Sequence, residues 1–365
     1  MAARPAAAAT TPRAPGAAHV AYAPVKRSLL ELLRSPDDGS ELRLVDEELS
    51  GDEITGGRLV DATGHEFPIE NGLPLFAAEG ADDPTFSFKW SIIGDTYGHE
   101  QATRATRRAW YLERFGYGDE ETLAEAVRGK LVLDAGCGSG VDTSMFADCG
   151  AHVVAVDLSR EAAGATYRQA GSRDDVHVIQ GDVQRLPFAP ETFDYVSSDQ
   201  VLHHTPDTYM SFAAIRRLAK AGARVAIYVY REKGPIREFA DDFIRERTTK
   251  MSAEDCYEFC RSVTELGRAL TNVHAQVDVP EAIPVLAIEP GPQDVQRFVY
   301  WNVMKCFWND DYDFETNVMV NFDWYHPHYA YRHTVDEVRG WFGELGLEIE
   351  RVDESLSGIS VVGRA

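Results

Sequence analysis

The 365 residues carry 59 Asp and Glu against 36 Lys and Arg, a formal net charge of −23, with 44% hydrophobic and 26% charged residues. Such a chain has room for one large globular domain with smaller attachments. The acidity argues against nucleic acid as a partner, since sequence-independent affinity for a phosphate backbone rests on Lys and Arg. No run of about 18 apolar residues occurs, so no membrane span is expected.

The five cysteines, Cys137, Cys149, Cys256, Cys260 and Cys306, are odd in number and include no C-x-x-C pair. They are expected to be reduced thiols of a cytoplasmic protein, with no metal site. Residues 1–27 are rich in Ala, Pro and Thr and lack the apolar stretch of a secretory signal. They are expected to be a disordered tail with little to bury.

Residues 28–80 suggest a small module. Leu29, Leu30, Leu32 and Leu33 give an apolar helical face, and Leu59-Val60, Phe67-Pro68-Ile69 and Leu73-Pro74-Leu75-Phe76 give short extended runs. The layout resembles the zinc-ribbon domain found beside or fused to some methyltransferases. Ser35, Asp38, Val60 and Thr63 stand where that family carries cysteines, so no structural zinc is expected. Residues 81–128 read as a helical, aromatic lid or linker, with Lys89 and Tyr97 as candidates to face a ligand.

The core spans 129–232. Val132-Leu133-Asp134 reads as a buried strand entering the turn Gly136-Cys137-Gly138-Ser139-Gly140, with a helix after it. The spacing is D-x-G-x-G-x-G rather than the G-x-G-x-x-G of dinucleotide binders. A second strand ends at Asp157, 21 positions beyond Gly136, where an acid can accept two ribose hydroxyls. A third strand runs to Asp182 and Val183, a fourth leads to Asp199-Gln200, and a fifth is Ala223–Tyr230. Thr205 to Lys220 reads as a helix capped by Thr205.

This stretch resembles the class I S-adenosylmethionine (SAM) methyltransferases, and Val201-Leu202-His203-His204 resembles the segment of the ubiquinone-biosynthesis subgroup that sits beside the transferred methyl. The resemblance implies SAM as cofactor, bound by Asp134, Gly136, Cys137, Gly138, Gly140, Asp157, Leu158, Asp182, Val183, Asp199 and Gln200. His203 and His204 are the candidate catalytic bases, because imidazole titrates near neutrality.

Residues 233–330 are read as a helical insertion forming a substrate cap. Tyr97, Tyr228, Tyr230, Trp324, Tyr325 and His326 are the candidate substrate contacts, with His328 beside them. Residues 331–365 return to the core with an amphipathic helix and two strands. The expected fold is α/β: a Rossmann-like, doubly wound, seven-stranded sheet whose last strand is antiparallel, with a small N-terminal module and a helical insertion. The expected activity is methyl transfer to a small molecule, with secondary metabolism or glycan tailoring as settings. An RNA or protein methyltransferase, and a SAM-binding protein without methyl transfer, stay open as alternatives. Oligomeric state is not legible.

Overall fold

The computed structural model describes residues 25–365, except Asp52, Glu79, Asp82 and 94–100, and leaves the side chains of 101–103 undescribed. Tyr97 and most of the expected tail therefore lie outside the described residues. The chain begins with α1 (Arg27–Leu32) and an antiparallel sheet of β1 (Arg43–Ser50), β2 (Glu53–Val60), β3 (Glu66–Glu70) and β4 (Leu73–Pro74). Three helices follow: α2 (Pro84–Ile93), α3 (Gln101–Phe115) and α4 (Glu120–Val127). The core then alternates β5 (Leu131–Ala135), α5 (Val141–Asp148), β6 (His152–Asp157), α6 (Arg160–Thr166), β7 (Val176–Gln180), β8 (Phe193–Asp199), α7 (Thr208–Arg216) and β9 (Ala219–Tyr230).

The insertion contains α8 (Pro235–Thr248), α9 (Ala253–Thr271), a hairpin of β10 (Gln276–Val279) and β11 (Gly291–Asp294), α10 (Val295–Asn302) and α11 (Phe314–Tyr325). The chain closes with α12 (Val335–Glu344), β12 (Glu348–Glu354) and β13 (Gly358–Arg364). The seven-stranded sheet has the order β12-β13-β9-β8-β5-β6-β7. Its β5–β9 strands are parallel, and β13 is antiparallel to both neighbours. Near-continuous apolar strands such as Val153–Val156, fully buried, are what a sheet covered on both faces requires.

The N-terminal sheet does not stand apart. Leu29, Leu33, Ile54, Phe67 and Phe76 pack in one cluster with Leu186, Phe188 and the core strands. Leu75 pairs with Gln180, and the Phe76 N–H donates to the Gln180 carbonyl at 2.9 Å. The module thereby covers the edge strand β7, which would otherwise expose unpaired backbone groups. Within the N-terminal sheet, Asp61 accepts from Ser35, from the Thr63 hydroxyl and from the N–H groups of Thr63 and His65. Asp37 and His65 join it within 4.8 Å, and His65 Nδ1 lies 2.6 Å from Asp37. Carboxylate and hydroxyl hydrogen bonds thus tie these loops together.

One local reading changes. Thr205 does not cap a helix: its hydroxyl donates to Leu202, and Asp207 caps α7 through the Met210 N–H. Ser252 caps α9 as its sequence suggests, accepting from Asp255 at 3.1 Å.

Candidate active site

Register alone brings the first acids together. Ala135 pairs with Val156, so β5 and β6 end side by side, with Asp157 next to the glycine turn. The Asp157 carboxylate accepts from the Gly138 N–H at 2.9 Å and from the Ser159 N–H at 3.0 Å. Burial raises its affinity for a proton, and these backbone donors oppose the shift. Two fixed donors orient both oxygens and leave lone pairs for further hydroxyls.

The glycines act differently from one another. At Gly140 (φ +82°) a Cβ would lie 2.7 Å from the Thr166 Cα, so its bareness lets α5 approach α6. At Gly138 (φ +56°) a Cβ would meet the Trp90 ring at 2.9 Å. Trp90 on α2 therefore lies across the loop. Gly136, Cys137 and Gly138 line a cavity of about 410 Å³ together with Asp157, Asp199, Gln200 and His204. Gly140 does not.

Asp199 extends two residues past the Asp134–Ser197 pair and reaches over the loop. Its Oδ2 accepts from Arg107 at 3.0 Å and Arg114 at 2.7 Å, which ties α3 to the end of β8. Its Oδ1 is buried without a hydrogen-bond partner. Gln200 sits beside it at φ +63°. Asp134 lies behind the loop instead of on the cavity: it is buried and accepts from the Thr143 hydroxyl at 2.5 Å. Desolvation, then the neighbouring Asp142 charge, raises its pKa. Its place at the strand end is as read, but its contact is to α5.

The third-strand acid also departs from expectation. Asp182 accepts from the Gln184 N–H at 2.9 Å, and Val183 packs into the main core. The Leu158 carbonyl is taken by the Gln180 side chain at 2.9 Å. None of the three lines the cavity. Next to Leu158, Ser159 receives the Ser87 hydroxyl of α2 at 3.5 Å.

The two histidines separate. His203 is fully buried, lies against the Tyr230 ring at 3.7 Å, and neither ring nitrogen has a partner. Burial, with His204 beside it, drives its pKa well below the usual value. It packs against Tyr230 and does not line the cavity. His204 lines the cavity. Its Nδ1 is 2.8 Å from the Tyr329 carbonyl, which places the proton on Nδ1 and leaves the Nε2 lone pair unengaged. Burial lowers its pKa to about 4, against the opposing pull of that carbonyl.

Of the expected substrate contacts, Tyr228, Tyr230 and Trp324 line the cavity. Arg114 lies over the Tyr228 ring at 4.7 Å, and burial pushes the Tyr228 phenol up to about 12. Tyr325 and His326 do not reach the cavity. The Tyr325 hydroxyl donates to the Lys305 carbonyl at 2.7 Å, and His326 bridges Thr85 at 2.7 Å and the Met251 carbonyl at 3.3 Å. Both face away because α11 turns adjacent residues by about 100°; His328 is exposed. Lys89 lines the cavity and donates to Asp323 at 2.7 Å.

Sequence reading missed Trp90, Arg107, Arg114, Lys233, Arg237 and Lys305, all of which line the cavity. No motif marks them. Arg107 and Arg114, seven apart on a helix and so on one face, were the available signal. Among the described residues, six of the eleven buried side-chain atoms without a partner belong to cavity residues: Arg114, Asp142, Asp199, Arg237, Asp323 and Trp324. Unpaired polar atoms concentrated in this way fit a site completed by a polar ligand.

Residues 133–227 match the family model described as a methyltransferase domain. A demethylmenaquinone methyltransferase of Thermobifida fusca is 37% identical over 124 residues, covering 33% of this chain and 52% of that protein. A ubiquinone biosynthesis O-methyltransferase of Aromatoleum aromaticum is 36% identical over 100 residues, covering 27% and 42%. The chain spans about half or less of the length of these curated relatives. A solved S-adenosylmethionine dependent methyltransferase from Mesorhizobium loti covers 68% of this chain and 99% of its own at 16% identity and a TM-score of 0.41. The sheet order, the glycine loop and the matched segment make this a class I methyltransferase core, and the cofactor of that class is SAM. Among the described residues no helix is long and apolar enough to cross a membrane.

Proposed function

We propose that the whole chain is a SAM-dependent methyltransferase acting on a small molecule held under the 233–330 cap. The observation that carries this is the meeting, in one cavity, of the glycine loop, Asp157 and the unpartnered Asp199 Oδ1 with the free lone pair of His204. These groups suit the cofactor: Asp157 would take the ribose hydroxyls, and Asp199 would meet a cationic or N–H donor. SAM supplies an electrophilic methyl on a sulfonium. The chain's part is to align acceptor and methyl and to exclude water, which effective-molarity arguments make the larger share of the rate.

His204 would take the acceptor's proton through Nε2. Its tautomer is held by Tyr329, and burial keeps it unprotonated at neutral pH. Trp90 and Phe86, both lining the cavity, would close the loop side against solvent. A small acceptor is favoured over a macromolecule because the insertion packs an apolar core of Cys256, Cys260, Val318, Phe322 and Trp324 against α2 and lends Trp324 to the cavity wall. Quinone-related acceptors, suggested by the names of the demethylmenaquinone methyltransferase and the ubiquinone biosynthesis O-methyltransferase above, are the first class to try. Calorimetry with SAM against NAD tests the reading: SAM should bind and NAD should not, and a chain that fails to bind SAM refutes it.

A further inference from the structure

At its cap end the cavity changes character. Lys233 and Arg237 come from the start of the insertion, Lys305 from the turn after α10, and Trp324 from α11. The three cations lie around one indole: Lys305 Nζ is 5.0 Å, the Arg237 guanidinium 5.2 Å and Lys233 Nζ 6.0 Å from the Trp324 ring centre. Arg237 and Lys305 are 1% and 6% exposed.

The two local acids are partly engaged already. Asp241 receives Arg237 Nε at 3.1 Å and the Lys305 backbone N–H at 3.0 Å. Asp323 receives Lys89 at 2.7 Å through Oδ2, and its Oδ1 is unpartnered. Lys233 donates to the Arg231 and Ser357 carbonyls at 2.8 and 2.9 Å. That leaves Arg237 Nη1, buried with no partner, and Lys305 Nζ, with no hydrogen bond or ion pair among the described residues. A buried cation without an anion is strongly disfavoured. Burial and Arg237 accordingly pull the Lys305 pKa down to about 7. Tyr300 and Trp301 wall the same end, and Arg237 lies 4.7 Å from the Tyr300 ring centre.

We propose that this end of the cavity is an oxyanion subsite, which binds the carboxylate or phosphate of an aromatic acceptor between Lys305 Nζ and Arg237 Nη1 with its ring against Trp324. The proposal deepens the methyltransferase reading and rests on it for the second ligand. An oxyanion would give both orphaned donors a charge-assisted partner, and the surrounding rings would exclude water from the pair. The competing arrangement is internal: Lys305 pairing with Asp323 as a structural bridge.

The test uses the full chain loaded with S-adenosylhomocysteine. Calorimetry compares 3,4-dihydroxybenzoate, phenyl phosphate and the neutral 3,4-dihydroxybenzamide on the natural protein and on Lys305→Met. One of the two anions should bind at least tenfold tighter than the amide, and its rank against the other identifies the oxyanion. Lys305→Met should bring the anions to within threefold of the amide, leave S-adenosylhomocysteine affinity unchanged, and raise the melting temperature by a few degrees, because an unpaired buried charge is removed. Anions that bind no better than the amide overturn the subsite. A Lys305→Met variant with equally weakened S-adenosylhomocysteine binding reassigns the cations to the cofactor and overturns it too. A lowered melting temperature with anion preference retained makes Lys305 a structural bridge. Failure of the natural protein to bind S-adenosylhomocysteine would sink the methyltransferase reading instead, and anion preference on the unloaded chain would still be measurable.

Discussion

The protonation state of His204 is the most exposed point of the proposed chemistry. The Tyr329 carbonyl, 2.8 Å from Nδ1, fixes the tautomer, and burial sets the pKa at about 4. An ordinary imidazole is roughly 90% protonated at pH 5.5, whereas one titrating near 4 is roughly 3% protonated. Over pH 7.5 to 5.5 the base should therefore stay intact instead of falling about tenfold in its active form. The same shift has a stability consequence. Between about pH 4 and 6.5 the unfolded chain binds the proton more tightly than the folded one. Stability from this group is thus full above pH 6.5 and is lost as the pH falls toward 4, by at most ~3 kcal/mol and less in proportion to the ring's solvent access. Imidazole nitrogen shifts of histidine-labelled protein read both quantities directly. They should give a neutral ring with the proton on Nδ1 down to pH 5. A midpoint near 6.5, or a proton on Nε2, would refute the reasoning.

Three further outcomes are expected. Asp157→Ala should weaken SAM binding by a few kcal/mol, because charge-assisted bonds are worth about 1.5–3 kcal/mol each; unchanged affinity in calorimetry would remove Asp157 from the ribose. Gly140→Ala should cost roughly 2–5 kcal/mol in urea unfolding, combining a left-handed backbone with a methyl pressed on α6 at Thr166; a loss below about 0.5 kcal/mol would mean the loop and α6 are not tightly apposed. Tyr325→Phe should lower stability by about 1–3 kcal/mol, since the buried Lys305 carbonyl loses its donor. It should leave SAM affinity alone, and a selective loss of SAM binding would return Tyr325 to the cavity.

Much of the core could be read from one dimension. Alternating strand and helix signals gave the parallel order, and the glycine turn with Asp157 marked one wall of the cavity. The reading failed where a residue's neighbours come from distant segments. His203 and His204 are adjacent in sequence, yet one is sealed against Tyr230 and the other has a free nitrogen. The difference lies in Tyr329 and Tyr230, more than 25 residues away. Asp182 looked equivalent to Asp157, but its carboxylate turns to the Gln184 N–H and does not line the cavity. The cationic cluster was invisible because Lys233, Arg237 and Lys305 carry no spacing rule; a turn and a helix start bring them to one indole.

By itself, the sequence determined the local, periodic and steric features. These are the buried strands, the turn that only glycine can make against Thr166, and the acids at strand ends, all set by backbone geometry within a few residues. Tertiary structure decided which polar groups remain without partners. That depends on burial and on what every other segment contributes within about 4 Å. The Asp199 Oδ1, the His204 Nε2 and the Lys305–Arg237 pair acquired their candidate roles only when α3, the Tyr329 turn and the cap closed around them.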